Sequence, residues 1–94
     1  MLLQLQKELR KKANPEKAEV LQRFFKTGKG EYGEGDKFIG ITMPQLRSVA
    51  KNYVELTLSN VKKLLQSKIH EHRHAALLIL VAKISLIISV NLLF

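Results

Sequence analysis

A chain of 94 residues with a formal charge of +8 and no cysteine is one small domain, and it excludes both disulfides and thiolate metal sites. Its hydrophobic share of 46%, without low-complexity runs, is enough to fold and argues against disorder. Sixteen Lys and Arg against eight acids favour anionic partners, whether nucleic acid, phosphates or an acidic membrane surface, unless the charge only solvates the domain.

The opening MLLQLQKELRKK places its apolar residues before its charges. A secretory signal has the reverse order, so the expected address is cytoplasmic. Leu2, Leu3, Leu5 and Leu9 predict a first amphipathic helix ending near Lys12. Asn14-Pro15-Glu16 starts a second: Asn caps it, Pro occupies the first helical position, and the acid meets the positive end of the dipole. Val20, Leu21, Phe24 and Phe25 give that helix an apolar stripe. It stops at Thr27-Gly28, where four glycines fall within eight residues. A third helix begins near Thr42, with Pro44 in its first turn and Leu46, Val49, Ala50 and Tyr53 facing inward. Thr57 caps a fourth, carrying Leu58, Val61, Leu64 and Leu65. A fifth starts near His70 and turns almost wholly apolar from Ala75. No stretch alternates with period two, so the fold class is all-α, with about five helices.

Three stretches are candidate sites. GKGEYGEGD contains Gly28-x-Gly30-x-x-Gly33, a formal dinucleotide fingerprint. That motif needs a strand before it and a helix directly after it. Here a helix precedes it and none follows until Thr42, so a helix-to-helix loop is expected, with glycines supplying positive φ. Glu31, Glu34 and Asp36 are candidate cation ligands. However, the calcium-loop spacing is absent, and Lys29 and Lys37 lie nearby.

HEHRH, residues 70 to 74, satisfies the H-E-x-x-H pattern of zinc peptidases. Such a metal takes three protein ligands, yet no Asp, Glu, His or Cys follows His74, and Arg73 would repel the ion. The competing reading is a polar, solvent-facing first turn of an apolar helix, with no metal and no cofactor.

The third candidate is the tail, Ala75 to Phe94. Its length suits a bilayer. A central lysine costs about 3 kcal/mol on insertion scales, and each Leu, Ile, Val or Phe returns about 0.3–0.6 kcal/mol. The thirteen such residues therefore roughly offset Lys83, Ser85, Ser89 and Asn91. Burial between neighbouring helices is the alternative, and the polar residues favour it over membrane insertion.

NPEKAEVLQRFFKTGKGEYGEGDKFIGITMPQLRSVAKNY, followed by LSNVKKLLQSKIHEHRHAALLILVAK, resembles the N-terminal part of the DNA alkylation repair family. The resemblance runs from about Asn14 to Lys83. Its most specific part is FFKTGKGEYGEGD with FIGITMPQLR, where the glycine spacing, Pro44 and Arg47 occur together. It implies a curved stack of HEAT-like helix pairs whose basic concave face grips the DNA backbone. It also implies a DNA glycosylase acting on N3- and N7-alkylated purines. Relatives carry a His-Glu and an Arg at the HEHRH position with no metal role. The family's exposed tryptophans and catalytic aspartate belong to later repeats. This chain has no Trp, and its one Asp, Asp36, does not match the catalytic position, so no catalytic residue is carried over.

After Lys83 the chain departs from the family pattern in the apolar ISLIISVNLLF (residues 84 to 94), as a truncated or frame-altered form of about two repeats would. The expected function is the N-terminal HEAT-like portion of a DNA alkylation repair protein, binding DNA phosphates and inactive alone. A helical self-association module and, further off, a zinc hydrolase are the alternatives. The expected DNA-backbone contacts are Thr42 with the amides that follow it, Arg47, Lys51 and Arg73. The expected homo-oligomer contacts are Leu86, Ile87, Ile88, Leu92, Leu93 and Phe94.

Overall fold

The computed structural model describes the backbone of residues 1–93 and the side chains of residues 1–91. The expected contacts Leu92, Leu93 and Phe94 therefore lie outside the described side chains. Five helices follow in order: α1 (Leu2–Lys12), α2 (Pro15–Phe24), α3 (Met43–Ala50), α4 (Leu58–Leu65) and α5 (His70–Leu93). A single 3-10 turn, Lys51–Tyr53, extends α3. Among the described residues the only β pairing is an isolated bridge between Lys37 and Ile69. The protein is all-α.

Each cap anticipated by residue type is made. Asn14 Oδ1 accepts the N–H groups of Glu16 and Lys17 at 3.0 and 3.1 Å, closing the first turn of α2 above Pro15. Thr42 and Gln45 form a reciprocal capping box at α3. Thr57 Oγ1 accepts the Asn60 N–H at 3.2 Å and starts α4. These side chains satisfy helix-end donors that would otherwise depend on water, each contributing about 1 kcal/mol.

The core lies where α3 and α4 meet α5, with α1 laid on α3. Leu5 and Leu9, one helical turn apart, are fully buried, as are Leu46, Leu56, Val61, Leu64, Ala75, Ala76 and Ile79 to within 1% exposure. Alanines at 75 and 76 leave room for neighbouring helices to approach α5 closely. The Tyr53 hydroxyl donates to Glu8 Oε1 at 2.8 Å, fastening α1 to the end of α3.

Two apolar stretches are left uncovered by the core. The stripe on α2 is not core: no α2 residue is buried, and Phe24 is 74% exposed. α2 is instead held by its two ends. The Asn14 N–H is shared between the carbonyls of Ile39 and Gly40 at 2.9 and 3.0 Å. Gly40 has φ +83°, and a Cβ there would collide with the Asn14 carbonyl, so this close approach requires glycine. At the far end Gln22 accepts the Phe38 N–H at 2.7 Å and donates to the Asp36 carbonyl at 3.1 Å. The second is the tail, for which burial between neighbouring helices does not hold. Burial in α5 ends at Ile79, and Val81, Ile84, Leu86, Ile87, Ile88 and Val90 are all exposed. The helix projects past its neighbours and gives the molecule a long axis of 51 Å against 26 and 22 Å. Leu58 is likewise exposed, because it opens α4 at the rim where α5 leaves the core.

Candidate nucleic-acid interface

The glycine loop does not build a dinucleotide site. It is fed by α2, closed by the Gly33 N–H donating to the Lys26 carbonyl at 2.8 Å, and followed by extended backbone rather than a helix. That extended segment, Asp36 to Thr42, runs beneath the first turn of α5, where the His70 N–H donates to the Lys37 carbonyl.

Here the reading of HEHRH as a solvent-facing turn is overturned. Glu71 is 3% exposed and His72 is 7% exposed. The Glu71 carboxylate accepts three successive backbone N–H groups, from Ile39 at 3.1 Å, Gly40 at 2.9 Å and Ile41 at 3.3 Å. A concave run of amides is an anion seat, and the N-terminus of α5 adds its positive dipole end. The acid that matched the catalytic position of a zinc peptidase is thus an internal anchor. His72 Nδ1 is hydrogen-bonded to Ser67 Oγ at 3.0 Å. Burial holds this imidazole below its ordinary value, helped by the Arg10 charge and opposed by Glu71.

Asp36 forms the second anchor. One oxygen takes Arg73 at 2.6 Å and the other takes His70 Nδ1 at 2.9 Å. Burial pushes the Asp36 carboxyl up, but the hydrogen bonds and charges of Arg73 and His70 together outweigh it and leave the group below its usual value. The His70 ring stacks on Phe38 at 4.3 Å, and Phe38 stacks on Phe25 at 5.1 Å. The loop, α2 and α5 therefore converge on one partly buried cluster. No group of three His, Asp or Glu side chains able to hold a metal occurs among the described residues, and the cation trio Glu31, Glu34 and Asp36 does not assemble.

The expected phosphate-binding residues fall into two sets. Arg47 and Lys51 are both exposed and stand four apart at the end of α3. Arg47 lies close enough to His74 that its charge, after burial and His70, helps hold that imidazole below its ordinary value. Arg47, His74 and His70 therefore share a basic neighbourhood spanning α3 and α5. Thr42 is placed differently. Its hydroxyl accepts the Gln45 N–H at 3.4 Å and its own N–H goes to Gln45 Oε1 at 3.1 Å, so the helix end is capped by its own side chains. Arg73 is held by Asp36 and by the Ser67 carbonyl at 2.9 Å, one-third exposed at the edge of the cluster. Sequence reasoning missed Glu71 and Asp36 as anchors. The available signal was an acid in the first turn of α5 together with a glycine between two isoleucines at 39 to 41.

The Lys and Arg side chains are otherwise unneutralised. Of sixteen, only Arg73 has a carboxylate within 4 Å among the described residues. A small all-α domain with a basic α3–α5 edge and a loop pinned from within by carboxylates is the class that fold and site define. The family model described as DNA alkylation repair enzyme matches residues 5–86, most of the chain. The chain belongs to that family. No curated protein and no solved structure matches it.

Proposed function

We propose that the chain supplies part of the DNA-backbone grip of a DNA alkylation repair protein, as HEAT-like helix pairs, and does not itself break the glycosidic bond. The observation that carries this reading is the unneutralised charge combined with family membership. Fifteen of sixteen Lys and Arg lack an acidic partner within 4 Å among the described residues, and Arg47 and Lys51 stand together on one exposed helix end. Cations left unpaired on a folded surface attract a polyanion, and each phosphate they neutralise releases condensed counterions. Such binding fixes position on the duplex without reading sequence.

Support for inactivity comes from the residues present. The chain has no tryptophan, and its one aspartate gives both oxygens to Arg73 and His70. Neither carboxylate oxygen is free to face a departing base. Titration of the chain with duplex DNA of unrelated sequences tests the proposal. Similar affinities that fall steeply with salt are expected, and affinity indifferent to salt would contradict it.

A further inference from the structure

We propose that the outer face of α5 is a self-association surface that receives α5 of a second copy of this chain. The apolar residues Leu77, Leu80, Val81, Ile84, Ile87 and Ile88 fall in a band about 120° wide at 100° per residue. Ala75 and Ile79 lie on the other side, and Ala76 borders the band next to Ile87; all three are buried against the core. Within the band, Leu77, Val81, Ile84 and Ile88 are spaced four, three and four apart, the repeat of a helix that packs along another helix. They are 53%, 61%, 55% and 52% exposed, so each has apolar surface without a neighbour.

The chemistry of this face selects what covers it. A bilayer is a poor fit, although α5 has a span with mean hydropathy 1.9. Its first turns are built into the domain as far as Ile79. The part beyond Ile79 carries the exposed apolar residues Val81, Ile84, Ile87 and Ile88. Lys83 lies within that part. Nucleic acid is also excluded, because the band carries no cation. A second α5 fits, because the same spacing on both helices lets the ridges of one enter the gaps of the other.

The exposed area supports a dimer. Side chains of this size, about half exposed, together with Leu58 at the rim, offer roughly 600 Å² per chain, near the lower end for a specific pair. Beside the band, Leu58, Leu80, Ile84, Leu86 and Ile87 line a groove of about 670 Å³ with Glu55 and Lys83 at its edges. Neither of these two charges has an opposite charge within 4 Å among the described residues. An antiparallel pair lets each Lys83 approach the Glu55 of the other copy. It also keeps the basic first turns of the two α5 helices apart, which a parallel pair would crowd together. Leu86 lies off the band but lines the adjoining groove, so of the exposed residues expected from sequence only Ile87 and Ile88 belong to the band itself.

The proposal does not depend on DNA binding, and sedimentation equilibrium of the 94-residue chain in detergent-free buffer tests it. A dimer is expected. Ile84→Lys and, separately, Ile88→Lys should give monomers with unchanged helical circular dichroism, because both positions are more than half exposed and outside the core. Ser89→Lys, at an exposed position off both the band and the groove, should leave the dimer intact. A wild-type monomer, a dimer that survives both Ile84→Lys and Ile88→Lys, or a chain recovered only on phosphatidylcholine–phosphatidylglycerol vesicles would overturn the proposal.

Discussion

Gly40 donates its N–H to Glu71 Oε2 at 2.9 Å, joining two residues 31 apart in sequence. The contact fixes where α5 begins relative to the segment that leads into α3, and so sets the relation between the two helices of the basic edge. Ile39 and Ile41 donate to the same carboxylate. Glu71→Ala would leave buried amides without an acceptor, at about 3 kcal/mol or more, against a total of about 5–15 kcal/mol for a small domain. Glu71→Gln retains one carbonyl acceptor and should lose less. Urea unfolding followed by circular dichroism checks the order; equal midpoints for Glu71→Ala and wild type would contradict the anchor.

The pH dependence follows from the same cluster. His72 and His74 lie below the ordinary imidazole value through burial and nearby positive charge. The unfolded chain therefore takes up their protons first. The stability they contribute is present above about pH 6.5 and is lost as pH falls through the lowered folded values. Asp36 is lowered as well, so its contribution is present above about pH 4 and lost as pH falls through its folded value. Unfolding midpoints measured from pH 8 to pH 3 should decline in two stages. Asp36→Asn should remove the lower stage and leave the upper one.

Chelation should not matter. Of the three side chains that imitate a zinc motif, His70, Glu71 and His74, the first two already have other partners: His70 with Asp36 and Glu71 with the loop amides. Helix packing rather than metal holds the domain together. The melting temperature should be the same with and without EDTA, and a large fall on adding EDTA would restore the metal reading.

Local features of the fold were legible in the sequence. Asn14, Thr42 and Thr57 announced three helix starts because capping depends on residues two or three positions apart. Leu46, Val49 and Ala50 showed their burial through helical spacing. The anchors were not legible. Asp36 meets Arg73 across 37 residues, and no periodicity reports a contact between a glycine loop and a distant helix turn. That the α2 stripe lacks a neighbour was not legible for a related reason. Amphipathic spacing says that a face is apolar, and the presence of a neighbour to cover it depends on how the chain turns at Gly40.

Base release is the next test. With no tryptophan and with Asp36 engaged by Arg73 and His70, incubation of the chain with alkylated duplex DNA should free no 7-methylguanine or 3-methyladenine above the spontaneous rate. Chromatography of the released bases measures it. Release well above a protein-free control would place catalysis within these residues.

The most direct measurement is the salt dependence of duplex DNA affinity for the wild type and for the double variant Arg47→Ala plus Lys51→Ala. The wild type should bind unrelated duplexes alike, with the logarithm of affinity falling linearly against the logarithm of salt concentration. Both side chains are exposed and without acidic partners among the described residues, so removing them should not unfold α3. Their loss should weaken binding to every sequence equally and flatten the slope by about one unit for each phosphate contact removed. An unchanged slope in the double variant, or a wild type that does not bind DNA even at low salt, would contradict the assignment of the α3–α5 edge to DNA.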